Sequence, residues 1–259
     1  CEERIEGAVL SLRKTSDGAP LWSVPVTAGT QNSQYTLTFA VGPTDSMGGV
    51  STAFVAGVTR SAMGIVLDGV NGYVDLNFNL VSIGGPMTIE VMAKWSAFGQ
   101  WSRLFDCGDG TTDDNIILAN FQTNGKLAYQ NFVGSVSKVT YSNDNDIAVD
   151  VRYHIVATVL GTTMVVYING LDKGSITDGW EPAVKTRLKC YIGKSNMGIG
   201  DAFLSGEVSS LKIYPIAMTQ AQVTAMYSAA VCADDAPAAP TYATRDPSVT
   251  QAGASFAAP

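Results

Sequence analysis

Between Val151 and Gly174 the chain alternates and clusters its apolar positions in the manner of strands. Two apolar runs, Tyr153–Leu160 and Met164–Ile168, are joined by Gly161-Thr162-Thr163. Both are rich in Val, Ile and Tyr, which suit a pleated, half-buried surface. The second run ends in Asn169-Gly170, a turn pair whose two central residues need φ > 0. The stretch predicts three consecutive antiparallel strands in a β-meander. Strand-like runs recur at residues 7–12, Leu21–Val26, Tyr35–Val41, Met63–Leu76, Thr88–Trp95, Trp101–Leu118, Lys126–Phe132, Lys138–Tyr141, Leu188–Asn196 and Phe203–Tyr214. Gly42-Pro43, Gly48-Gly49, Asp68-Gly69, Asn71-Gly72 and Asn124-Gly125 punctuate them as turns. In Thr88–Trp95, Glu90 alternates with Ile89 and Val91 and so faces the opposite way. Only Pro215–Tyr227 breaks the strand pattern. There Thr219 is a good N-cap, with Val223, Met226 and Tyr227 at helical spacing, which predicts a short helix. Residues 233–259 are mostly Ala, Pro, Ser and Thr without periodicity. They read as an extended linker or tail, the sharper version being a tail that packs on a neighbouring subunit.

The 259 residues suffice for one large β domain. Charged residues make up only 15% and glycines number 26, a balance that suits a turn-rich sandwich outside cells. A net charge of −7 argues against nucleic acid, whose phosphates need clustered Lys and Arg. The longest apolar runs fall short of 18 residues, so no membrane insertion is expected. A chain starting at Cys1 suggests a processed terminus or a piece of a longer protein, with a lipoprotein anchor as a weaker reading. The four cysteines Cys1, Cys107, Cys190 and Cys232 show no C-x-x-C spacing, which disfavours zinc. Their even number suggests two disulfides, with three pairings open.

Several segments carry a resemblance to laminin-G-like (concanavalin A-like) jelly-roll domains. These are Met63–Leu76 (MGIVLDGVNGYVDL), Thr88–Trp95 (TIEVMAKW), Trp101–Leu118 (WSRLFDCGDGTTDDNIIL), Arg152–Ala157 with Val165–Gly170, Leu188–Asn196, and the ending Phe203–Tyr227. Cys107 stands where an aromatic is usual. The resemblance implies an all-β domain over residues 1–232, a two-sheet antiparallel jelly-roll sandwich with a short C-terminal helix, followed by the extended Ala/Pro-rich tail 233–259. It implies that the opening strand pairs near the last one. It also suggests Cys1–Cys232 as a clamp on the domain ends, with Cys107–Cys190 joining two central strands.

Several polar and aromatic residues offer candidate chemistry. Asp109, Asp113, Asp114 and Asn115, in a Gly- and Thr-rich turn, offer oxygens for Ca2+, and the resemblance to rim-binding calcium domains adds weight. Asn143, Asp144, Asn145 and Asp146 lack the Gly and closing Glu of a calcium loop and read as solvated. For carbohydrate, Trp180 in a Pro- and Gly-flanked loop and Trp101 are the chosen aromatics. Tyr129 and Tyr141 are further candidates, and Trp95 is assigned to the core. His154 is the sole histidine and is placed structurally, so no Ser/His/Asp triad can be assembled. Glu207 has no partner in an E-x-D-x-E strand, and neither a P-loop nor a dinucleotide fingerprint is present. The expected protein is therefore a non-enzymatic, secreted or cell-surface binding module for glycan or another extracellular protein, with Ca2+ as candidate cofactor. The alternative is a structural subunit of an extracellular assembly that self-associates through its tail.

Overall fold

The computed structural model describes residues 2–6, 9–13, 20–25, 35–38, 53–55, 57–61, 63–76, 82–110, 112–197 and 200–234; before residue 55 and from 231 onward this concerns the backbone only. In chain order the elements are β1 (Glu2–Glu6), β2 (Val9–Arg13), β3 (Pro20–Pro25), β4 (Tyr35–Thr38), β5 (Ala53–Phe54), β6 (Val58–Ser61), β7 (Gly64–Asp68), β8 (Val74–Asp75), β9 (Ser82–Ile83) and β10 (Met87–Ala97). They continue as β11 (Arg103–Gly108), β12 (Ile116–Phe121), β13 (Lys126–Val133), β14 (Val136–Tyr141), β15 (Arg152–Leu160), β16 (Thr163–Ile168), β17 (Leu171–Ile176), β18 (Lys185–Thr186), β19 (Lys189–Ile192), β20 (Ser205–Tyr214) and α1 (Gln220–Asp234).

Two antiparallel sheets form the sandwich. One runs β17-β16-β15-β10-β20-β7-β6, with β4 also on β20, and the other runs β14-β13-β12-β11-β19-β8-β5. Their facing sides bury one cluster that includes Ile65, Val91, Trp95, Phe105, Leu118, Tyr129, Ile155, Val166 and Leu211. This is the jelly-roll sandwich expected, and Trp95 is fully inside it. The meander β15-β16-β17 pairs as expected, with Asn169 and Gly170 at φ 51 and 78 in its second turn. The Asp68 turn is fixed by its own carboxylate: Oδ1 accepts from the N–H groups of Val70, Asn71 and Gly72 at 2.9–3.0 Å. Those three donors hold the Asp68 carboxyl below the usual carboxylate range.

The opening strand departs from expectation. Residues 7–12 were expected to lie near the last strand. Instead β2 pairs with β1 and β3 in a separate three-stranded sheet, while β10, β7 and β4 flank β20. Local hairpin closure between consecutive strands costs less chain entropy than the distant pairing. Cys107 and Cys190 face each other in register on β11 and β19, are both buried, and form a disulfide across 83 residues. The Cys1–Cys232 pairing and the tail from 235 onward lie outside the described residues.

Helix α1 begins as the sequence predicts. Thr219 Oγ1 accepts from Gln222 N–H at 3.4 Å, and Gln222 Oε1 accepts from Thr219 N–H at 2.8 Å, a reciprocal capping box. The helix lays Val223 and Met226 on Val156, Val165, Tyr167 and Tyr214, covering the outer side of the eight-stranded sheet. Thr219→Ala is expected to lower stability by about 1 kcal/mol, read as a shifted urea midpoint at unchanged slope.

Candidate functional site

The outer side of the seven-stranded sheet carries the densest polar and aromatic grouping. Register places Tyr191, Asp106, Ile117, Gln130 and Val139 in one row across β19, β11, β12, β13 and β14. The next row holds Arg103, Ala119, Ala128 and Tyr141. Arg103 and Asp106 are three apart and would face opposite sides of a regular strand. A β-bulge between Arg103 and Phe105 turns Leu104 and Phe105 both into the core and leaves Arg103 and Asp106 on the same outer side.

Arg103 is buried and donates to Asp106 (2.9 Å), to Asp201 (2.5 Å) and to the Trp101 carbonyl (3.0 Å). Asp106 also accepts from the backbone and side-chain amides of Asn196. Asn196 and Asp201 thus pin the segment after β19 across β11, and Met197 from that segment packs on Ile117, Ala119 and Phe132. Burial pushes the Asp106 carboxyl up to about 6, against the opposing pull of Arg103 and Asn196.

Aromatic clusters stand on both sides of this pinned segment. Trp101 meets Phe121 edge-on with centroids 5.2 Å apart, and Phe121 meets Tyr141 at 4.8 Å. The Lys126 ammonium lies 5.9 and 5.5 Å from the Phe121 and Tyr141 centroids, and pairs with Asp144 at 3.0 Å. Trp101 has φ 55, a left-handed conformation that a bulky residue holds only when its surroundings enforce it. All three rings are half-buried. On the other side Tyr73 and Tyr191 meet edge-on at 5.4 Å, with Phe203 at 6.4 Å from Tyr73, and Lys194 lies over both tyrosines. Tyr141 and Tyr191 are four strand spacings apart, about 20 Å at the usual 4.8 Å per strand.

Of the two tryptophans singled out from sequence, only Trp101 belongs to this surface. Trp180 donates through Nε1 to the Asn131 carbonyl at 3.1 Å, and its own carbonyl accepts from the Asn131 amide. That amide also reaches the hydroxyl of Tyr129 in the core, so Trp180 closes the inward side of β13. Tyr129 is fully buried, and burial drives its hydroxyl pKa upward. Phe121, Arg103, Asp201 and the Tyr73–Tyr191 pair were not foreseen; the alternation of Phe121 and Lys126 with core residues was the only available signal.

The acidic turn is built around a lysine. Lys185 Nζ lies 3.0 Å from Asp109 and 3.3 Å from Asp114. Asp109 also accepts from Leu188 N–H and Asp114 from Gly134 N–H. Arg187, fully buried below, donates to the carbonyls of Asp114, Ile83 and Ala183. Asp113 is exposed, whereas Asn115 is buried. Among the described residues no three His, Cys, Asp or Glu side chains gather as a metal site. In this arrangement the Lys185 ammonium stands between the carboxylates of Asp109 and Asp114.

The outer side of the other sheet holds a second buried polar group, under α1. Glu90 takes the Tyr214 hydroxyl at 2.7 Å and His154 Nε2 at 3.0 Å, with Lys212 at 3.6 Å. Burial alone would raise the Glu90 carboxyl; the Lys212 charge, His154 and Tyr214 together outweigh it and hold it at about 2. Glu207 is paired with Arg152 at 2.9 Å and Lys94 at 3.5 Å. His154 thus serves as a buried hydrogen-bond partner of Glu90.

Similar architectures are known. Domain 4 of AbnA, a GH43 extracellular arabinanase from Geobacillus stearothermophilus, solved with arabinotriose, is 21% identical, with a TM-score of 0.49 over 76% of this chain and 89% of that one. Trypanosoma rangeli sialidase is 15% identical, with a TM-score of 0.51 over 69% of this chain and only 29% of the sialidase. A mutant of HCR/D reaches a TM-score of 0.59 at 12% identity, over 76% of this chain and 51% of that one. At these identities the shared property is the fold. No curated protein matches the chain. The family profile of concanavalin A-like lectins and glucanases matches residues 68–224, more than half of the chain and every strand from β8 to β20, and the chain therefore belongs to the concanavalin A-like lectin/glucanases superfamily.

Proposed function

We propose that this chain is a non-enzymatic carbohydrate-binding module, working outside the cell, whose ligand lies on the outer side of the seven-stranded sheet. The observation that carries the reading is the run Trp101–Phe121–Tyr141. These are three half-buried rings, Phe121 touching each of the other two, on one side of the sheet beside polar groups already ordered by Arg103. The C–H faces of a sugar ring pack on such rings, and a few fixed polar groups set its orientation. Holding Trp101 in its left-handed backbone conformation costs about 1–3 kcal/mol, and strain of this kind concentrates at ligand sites. Membership in a superfamily of lectins and glucanases supports a saccharide ligand. The disulfide fits an oxidising compartment.

The lectin alternative within that superfamily is favoured over hydrolysis by how the buried acids are used. Glycoside hydrolysis takes two carboxyl groups flanking one bond. Here Asp106 and Asp201 are committed to Arg103, Glu207 to Arg152 and Lys94, and Glu90 to its network under α1. Glycan-array binding of the 259-residue chain tests the reading. Trp101→Ala and Tyr141→Ala are each expected to weaken binding about tenfold or more, the order found when an aromatic anchor is removed. Trp180→Ala is expected to leave binding intact, and EGTA to leave it unchanged because Lys185 occupies the acidic turn. Undiminished binding by Trp101→Ala and Tyr141→Ala, or no glycan bound at high protein concentration, would overturn it.

A further inference from the structure

Lys194 differs from the other partly exposed lysines. Lys94, Lys126, Lys138, Lys173, Lys185 and Lys212 each lie 2.5–3.6 Å from a carboxylate oxygen. Among the described residues Lys194 has no such partner. Its ammonium rests 4.2 Å from the Tyr73 ring centroid and 5.1 Å from that of Tyr191. Tyrosine faces hold a cation in place without neutralising it. The two rings are themselves fixed, edge to face at 5.4 Å, with Phe203 beside Tyr73. The segment bearing Lys194 is anchored on both sides, by Gly193 N–H to the Arg103 carbonyl and by Asn196 to Asp106. The result is a pre-positioned positive charge on an aromatic floor, on the same side of the sheet as Trp101, Phe121 and Tyr141.

Burial keeps the Tyr191 hydroxyl protonated well past neutral pH, and Asp75, opposite it in register on β8, adds to that effect. The protonated Tyr191 hydroxyl and the Lys194 ammonium are both donors to a carboxylate or sulfate oxygen. Asp75 and Asp106 stand on either side of Tyr191 in the sheet, and the whole chain carries −7. That field repels polyanions in general, so only an anion delivered to Lys194 by a bound sugar gains from the site.

We propose that Tyr73, Tyr191 and Lys194 form a subsite for an acidic sugar, whose carboxylate or sulfate pairs with the Lys194 ammonium where the two tyrosines hold it. This rests on the carbohydrate-binding reading above and names the charged end of the ligand. The glycan would cross the sheet, with one unit near Tyr141 and its acidic unit about 20 Å away, four strands across.

Affinity electrophoresis tests it, using native gels containing alginate, polygalacturonate, dextran sulfate, neutral dextran or neutral galactan. Retardation by alginate or polygalacturonate, weakened about tenfold or more in Lys194→Gln and unchanged in Lys189→Gln, is the expected result. Lys189 is exposed and makes a matched control for net charge. Retardation confined to dextran sulfate, and lost in Lys194→Gln, assigns the anion as sulfate and supports the same subsite. Retardation by neutral polymers alone, equal in Lys194→Gln, overturns the acidic-sugar inference while leaving the carbohydrate reading standing. Acid-polymer binding that Lys194→Gln leaves intact also overturns it. No retardation in any gel, with no glycan bound on the array, overturns both.

Discussion

Replacing Cys107 and Cys190 together by alanine is expected to lower the unfolding free energy by about 4–5 kcal/mol. The disulfide closes a loop of 83 residues, and cross-linking the unfolded chain at that separation removes roughly that much conformational freedom in the chain-entropy model. Both residues lie inside the sandwich core, so the replacements also leave a small void and err on the side of a larger loss. The bond ties β11, which carries Arg103 and Asp106, to β19, which carries Tyr191. Its removal is therefore expected to loosen the candidate site as well as the core. Urea unfolding of the variant beside the oxidised parent checks the magnitude. A loss under about 1 kcal/mol would show that ladder hydrogen bonds and packing alone fix these two strands.

Much of the fold was legible because strands, turns and caps are local signals. Asn169-Gly170 specifies its turn by backbone conformation, and Thr219 specifies a helix start as an N-cap; both appear in the structure, which adds Gln222 as the reciprocal partner of Thr219. The placement of β2 was misread because strand partners depend on chain closure over long distances, which no short window encodes. The register of β11 was hidden for a related reason. A bulge adds a residue without leaving a mark in composition, and it alone explains how Arg103 and Asp106 come to share a side.

The site was legible only in part. Trp101 was singled out as one of the tryptophans outside the core, and the structure gives it a ring neighbour in Phe121. Trp180 was chosen for its Gly- and Pro-flanked loop, yet the Asn131 carbonyl takes its indole N–H and holds it against the inward side of β13. The side-chain oxygens of Asp109, Asp113, Asp114 and Asn115 suggested a cation. The cation that the structure brings to Asp109 and Asp114 comes from Lys185, some seventy residues later in the chain. Charge partners of that kind are set by tertiary packing, and sequence spacing is silent about them.

Two buried carboxyls should give the stability curve a maximum near pH 4. Glu90 is held at about 2 in the folded chain, against 4.5 for the free side chain. Its contribution is complete above about pH 4.5 and is lost as pH falls through 2. Asp106 behaves oppositely: burial raises it from 3.8 to about 6, so its contribution is complete below 3.8 and is lost as pH rises through 6. Each difference corresponds to about 3 kcal/mol. The physical cause of the second is burial of the carboxyl, which outweighs the opposing pull of the Arg103 guanidinium and the Asn196 amides. Acidification from pH 7 is thus expected to stabilise the protein down to about pH 4. Below that, Glu90 dominates, joined by the carboxylates of Asp68, Asp109, Asp114 and Asp178, which are also held below their usual range. Urea unfolding from pH 2.5 to 7.5 measures the curve, and its slopes assign it. Asp106→Asn should flatten the limb between pH 4 and 7, and Glu90→Gln should shallow the limb below 4.5, whatever each costs in absolute stability. A parent protein whose stability declines steadily from pH 7 to 4 would show that Asp106 remains ionised beside Arg103, and that the guanidinium outweighs burial.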